Sequence, residues 1–150
     1  MTARIRIAGE LLPQLLTRSC QESSREVCGL LAGREGVITH IVPATNAAAD
    51  PATSYEIAPE ELFRLMREMR AARLELLGIY HSHPNGTNQP SPRDIERAYY
   101  PDAAYLIVSP LAAAARPVRA FSIRDGRVTE LEIQVETEKE THDHSADQSA

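Results

Sequence analysis

Residues 74–84, LELLGIYHSHP, restrict the fold more than any other stretch of this chain. A short apolar run, LELLGIY, predicts a strand, and it continues without a turn into His81-Ser82-His83-Pro84. Strand side chains alternate between faces, so Leu77, Ile79, His81 and His83 are expected to project the same way. Two imidazoles one strand step apart can hold one metal ion from a rigid support. Pro84 has no N–H for a sheet ladder, so pairing is expected to stop there, at the edge or mouth of a sheet.

The flanking pattern supplies the partners for such a strand. Residues 10–22 space Leu11, Leu12, Leu15 and Leu16 as a helix does, with Pro13 confined to a first turn. EVCGLLAG (26–33) is a short buried strand, and Arg34-Glu35-Gly36 turns it back into VITHIVPA, so 26–43 predicts a hairpin. Asn, Asp, Pro and Ser make 46–58 a loop. Pro59, Glu60 and Glu61 suit the first turn of a helix through about residue 74, whose stripe Leu62, Leu65, Met66, Met69 and Ala72 reads as core. SPRDIERAYY (91–100) predicts a short helix, AAYLIVS (103–109) a strand, and Asp125-Gly126 the turn of a last hairpin. Helix, hairpin, helix, strand, helix and strands in that order predict an α/β fold: a single domain with a mixed, mostly antiparallel sheet and helices packed on it. A glycine-rich phosphate loop is absent.

At 150 residues the chain suits one domain with a core of its own. Its net charge of -5 belongs mainly to one end, because residues 136–150 hold five acids against Lys139 alone. Residues 1–135 are therefore read as the domain and 136–150 as an acidic, disordered tail. No basic footprint for nucleic acid remains. Two cysteines are too few for a disulfide framework, and no apolar run approaches a membrane span, so the cytoplasm is the expected compartment.

Downstream of the histidines, Ser91-Pro92-Arg93-Asp94 opens the short helix. One reading is structural: Ser91 caps the helix, Pro92 is its first residue, and Asp94 is the acidic third residue of a capping box. The joint spacing says more. His-x-His, seven residues, Ser, two residues, Asp arises by chance in roughly one chain of this length in ten thousand. As HSHPNGTNQPSPRD it resembles the JAMM (MPN-domain) metalloproteases, whose motif it matches without gap or substitution. That family also carries a glutamate just before a small apolar strand, and Glu26 in REVCGLLAG is similarly placed.

The resemblance runs over roughly residues 4–135 and implies a three-layer fold like that of cytidine deaminases. It implies Zn2+ on His81, His83 and Asp94, with Glu26 as the proton shuttle and the Ser91 hydroxyl directed at the oxyanion. Elementary chemistry agrees: two neutral imidazoles and a carboxylate leave a fourth position open for water, as catalytic zinc requires. Helix capping and catalysis make competing claims on the same Ser91 oxygen, and the catalytic one is the working expectation. The chain is similar to the compact bacterial members of the family, some of which cleave adducts from the Gly-Gly end of ubiquitin-like sulfur-carrier proteins. A carrier of that kind is thus the expected substrate and partner.

Other residues stay open or are set aside. Cys28 and Asn46 lie near candidate residues in sequence, with no role decided. His142 and His144 repeat the His-x-His pattern in the tail, without a strand to support them. A non-catalytic MPN-type scaffold is the alternative function; the complete set of ligands and Glu26 argue against it. A structural zinc site with Cys28 as fourth ligand would be atypical. A zinc deaminase is rejected for want of its P-C-x-x-C segment.

Overall fold

The computed structural model of the chain describes residues 3–111 and 115–137. Its elements are β1 (Arg4–Ala8), α1 (Leu11–Gln21), β2 (Cys28–Arg34), β3 (Val37–Ala44), α2 (Pro59–Ala71), β4 (Glu75–Ser82), α3 (Pro92–Glu96), β5 (Ala104–Val108), β6 (Val118–Arg124) and β7 (Arg127–Glu136). No helix among the described residues is long and apolar enough to cross a membrane.

Both hairpins turn on two residues with positive φ: Glu35 and Gly36 at 54° and 78°, Asp125 and Gly126 at 50° and 79°. That left-handed pair matches the right-handed twist of the strands it joins. The sheet is mixed. β2 lies antiparallel between β3 and β4, β4 runs parallel to β5, and β5, β6 and β7 are antiparallel.

β1 was not anticipated from the sequence. It runs parallel to β7 on one side and to β3 on the other, closing the strands into a barrel ordered β1-β3-β2-β4-β5-β6-β7. Closure leaves the sheet without an exposed edge. β7 extends through Glu136, whose carbonyl accepts from the Gly9 N–H and whose side chain pairs with Arg6. The expected start of the tail thus falls on the last residue of a strand, and residues 138–150, including His142 and His144, lie outside the described residues. α2 stops at Ala71, short of 74, because Arg73 turns left-handed with φ of 61°.

The sheet buries two faces. Leu11 and Leu15 of α1 pack with Ile7, Leu31, Ile38, Tyr80, Leu106 and Val108 on one. Leu65 and Met69 of α2 pack with Leu30, Ile79, Tyr105, Ile107 and Phe121 on the other. Helices therefore cover both sides of the sheet, the layered arrangement expected.

One sequence expectation fails here. Leu30 pairs with Ile79 and Leu31 with Gly78, but Ala32 pairs with Leu76, so β4 carries a bulge at Leu77. The extra residue flips the alternation: Leu77 packs on the Tyr80 face, while Leu76 joins Ile79 on the other. Ile79 and His81 share a face as expected, and Leu77 does not.

Gly33 sits where β2 and β3 shift register, and an added Cβ would stand 1.8 Å from the Val37 carbonyl oxygen. Backbone cannot yield there as a side-chain tip would. Gly33→Ala is expected to cost about 3 kcal/mol, read as a fall in the denaturant midpoint; an unchanged midpoint would show that the β2–β3 turn relaxes freely.

Candidate metal centre

β4 delivers His81 from the middle of the sheet. Its neighbours β2 and β5 pair on either side, with Cys28 opposite His81 in one ladder and Ile107 in the other. The β5 ladder continues one bond further, from the His83 N–H to the Val108 carbonyl (2.9 Å), and Pro84 then ends it. His81 is fully buried and His83 nearly so.

The short helix α3 brings up the carboxylate. Ser91 Oγ accepts from the Asp94 N–H (3.0 Å), and Asp94 Oδ2 accepts from the Ser91 N–H (2.9 Å), which is the complete capping box. The same Oδ2 lies 3.1 Å from Nε2 of His81 and 3.1 Å from Nε2 of His83, and those two nitrogens are 3.1 Å apart.

Such a triangle is hard to satisfy with protons. If both histidines carry their proton on Nε2, two N–H groups face each other; if one does not, a contact lacks a donor. A cation resolves this, since all three atoms have lone pairs to offer. Ligands sharing one tetrahedral zinc at ~2.0–2.1 Å lie ~3.3 Å apart. The donor set and its spacing therefore fit the ion.

Surrounding groups hold the three side chains differently. His83 Nδ1 donates to the Thr87 carbonyl at 2.7 Å, which leaves its Nε2 lone pair for a metal. His81 Nδ1 has no partner among the described residues, and the Tyr55 ring stacks on the imidazole instead, centroids 4.3 Å apart. Burial lowers the His81 pKa, so the ring stays neutral, the form that metal binding would require. Burial alone would raise the Asp94 pKa, but the two histidines and the Ser91 N–H beside it outweigh that and hold the carboxyl well below its usual range.

Glu26 comes to the same place from the start of β2. One of its carboxylate oxygens and a ring nitrogen of each histidine lie within 4.8 Å of one another. That spacing is wider than the Asp94 triangle, in which each pair of atoms is 3.1 Å apart. Glu26 is 5% exposed, its Oε1 has no partner among the described residues, and burial pushes its carboxyl up to about 7.

Two residues left open by the sequence now have places. Asn46 is buried at the head of the loop between β3 and α2. Its Nδ2 donates to the carbonyls of Glu26 (2.9 Å) and Ser54 (3.0 Å), and its Oδ1 accepts from the N–H groups of Ala48 (3.0 Å) and Glu56 (3.2 Å). It ties the Glu26 backbone to the loop that presents Tyr55. Cys28 is buried with its thiol pushed up to about 12, chiefly by burial, which favours the neutral thiol in the metal-free protein. Sequence reasoning missed Tyr55 and Thr87; neither carries a local signal, because stacking and carbonyl placement depend on the fold.

Comparison with known proteins identifies relatives of the whole domain. A family model described as prokaryotic homologs of the JAB domain matches residues 9–124. A desampylase of Haloferax volcanii is 35% identical over 115 residues, covering 73% of this chain and 83% of the relative. A CysO-cysteine peptidase of Mycobacterium tuberculosis is 34% identical, covering 86% of this chain and 89% of the relative. Among solved structures, a protein from Desulfitobacterium hafniense superposes with a TM-score of 0.79 at 31% identity, over 92% of this chain and 97% of that one.

The raised Glu26 carboxyl has a consequence for stability. Its charged form is disfavoured in the fold, so metal-free protein loses stability as pH rises from about 4.5 to about 7. Glu26→Gln removes that penalty. Metal-free Glu26→Gln should melt above metal-free wild type at pH 8, and the gap should vanish by pH 4; a gap independent of pH would mean that the carboxyl is not perturbed.

Proposed function

The chain belongs to the family of prokaryotic homologs of the JAB domain, and from that membership we propose that it is a zinc-dependent hydrolase that cleaves amide or isopeptide bonds at the Gly-Gly end of a ubiquitin-like sulfur-carrier protein. The observation that carries this reading is the triangle of His81 Nε2, His83 Nε2 and Asp94 Oδ2, each 3.1 Å from the others, with the buried Glu26 carboxylate beside it. The carrier substrate rests on the relatives, two of which are named for cleaving such conjugates.

His81, His83 and Asp94 would hold the zinc, which would supply Lewis acidity and lower the pKa of water to about 7. The protein's own groups do the rest. Glu26 Oε1, without a competing hydrogen bond among the described residues, takes a proton from the attacking water and returns it to the departing amine. A carboxyl tuned to about 7 exchanges protons in both directions near neutral pH. Ser91 Oγ uses a lone pair to accept from the Asp94 N–H, so its own proton is free to donate to the developing oxyanion. The Thr87 carbonyl keeps the His83 ring in the tautomer that offers Nε2. Both cysteines are free, which suits work in the reducing cytoplasm.

Metal content and turnover test these roles together. A chain ending at residue 137, which lacks the tail histidines, should bind one zinc, and His81→Ala/His83→Ala in that background should bind none; full zinc in the double variant would end the assignment. Glu26→Gln should keep its zinc and lose activity by about 10²–10⁴. Ser91→Ala should lower kcat by about 10² beyond anything its melting temperature explains; a purely thermal effect would leave the hydroxyl as a helix cap.

A further inference from the structure

Beside the metal centre lies a cavity of about 130 Å3, walled by Leu30, Tyr55, Ile57, Leu62, Ile79 and Tyr105. We propose that it receives the apolar side chain of the substrate residue that precedes the terminal Gly-Gly, on the acyl side of the scissile bond. This inference rests on the hydrolase reading above and adds a substrate preference to it.

Contact with the centre comes first. Tyr55 is one wall of the cavity, and its ring is stacked on His81. Ile79, another wall, is two residues before His81 on β4 and shares its face. Two strand residues span ~7 Å, so the Ile79 wall stands about that far along the strand from His81.

Register gives the direction. Along the β2–β4 ladder, Leu30 pairs with Ile79 and Cys28 with His81. The ladder continues through Val27, whose N–H donates to Ser82 Oγ and whose carbonyl accepts from the Ser82 N–H. Glu26 is the next residue on, toward His83. The proton shuttle and the cavity therefore lie on opposite sides of the His81 row. Glu26 delivers its proton to the departing amine, so the amine leaves on the Glu26 side and the acyl chain extends toward Ile79.

An extended substrate then meets the cavity at one position. With the scissile carbonyl at the ligands, the last glycine is at the metal and the second glycine is one step away. The residue before them is two steps away, ~7 Å, level with Ile79. Neither glycine has a side chain to place, so this is the first residue that can be read.

Size and polarity specify what fits. Whole small-molecule sites are usually ~300–1,000 Å3. A space of about 130 Å3 suits one side chain. Its walls are aliphatic and aromatic, and the two charged residues at its rim, Glu56 and Arg97, are paired with each other at 3.7 Å. Tyr99 at the mouth is 73% exposed, and Phe63, next to Leu62, is 68% exposed, so apolar surface continues outward from the opening.

The test uses the zinc-loaded full chain and a ubiquitin-fold sulfur-carrier protein ending in Xaa-Gly-Gly, joined through its last carboxyl to cysteine. Xaa is leucine, glycine or aspartate, and cysteine release is followed by mass spectrometry. The leucine adduct should be cleaved with kcat/KM at least about tenfold above glycine, and further above aspartate, mostly through KM. Leu62→Glu should lower that preference; Tyr99→Ala, at an exposed position that leaves the fold intact, should flatten it while zinc content stays at wild type. Equal kcat/KM for all three adducts, or a leucine preference untouched in both variants, would overturn the subsite and leave the hydrolase standing. No release from any adduct would instead remove the hydrolase reading, and the subsite with it.

Discussion

A single oxygen, Asp94 Oδ2, joins the two halves of the candidate site. It accepts the Ser91 N–H that starts α3, and it faces Nε2 of His81 and His83 at the end of β4. A carboxylate at the first turn of a helix is already favoured by the unpaired N–H groups there. The fold uses that preference to aim a negative charge at two imidazoles on another element. The cap and the candidate ligand are thus one interaction seen from two sides, and loss of Asp94 would release both the helix start and the third corner of the triangle.

The motif was legible because its parts obey local rules. A strand that ends in His-x-His-Pro places two rings on one face, and Ser-Pro-x-Asp is a helix start in any context. Both hairpin turns were equally local, each resting on a glycine that tolerates positive φ. The misses depend on distant partners. β1 is five residues, Arg-Ile-Arg-Ile-Ala, too short a run for its alternation to stand out, and its partner β7 lies more than 120 residues away. The bulge at Leu77 is set by how Ala32 meets Leu76 across the ladder, and nothing in LELLGIY marks it. Tyr55 sits in a loop rich in turn formers, and only the folded chain shows its ring against His81.

Ser91 shows how two sequence readings that compete on paper can coexist in one atom. A hydroxyl has lone pairs and a proton. The cap uses a lone pair, accepting from the Asp94 N–H, and leaves the proton free to donate. Capping also removes one of the ways the side chain could rotate away, so the structural role is compatible with the chemical one proposed for it.

The treatment of Glu26 is the opposite in kind. Its backbone is fully engaged: the N–H donates to the Pro51 carbonyl at 2.7 Å, and the carbonyl accepts from Asn46 Nδ2. Its carboxylate Oε1 is buried without a partner among the described residues. A buried, unpartnered acceptor is expensive, so a fold that tolerates one holds it by other means. Asn46 provides them, because the same amide that accepts the Ala48 and Glu56 N–H groups ties the loop to the Glu26 backbone. The main chain is satisfied so that the side chain can stay unsatisfied. The proton shuttle proposed for Glu26 would need that arrangement, since any strong hydrogen bond to the carboxylate would have to break each time a proton moved.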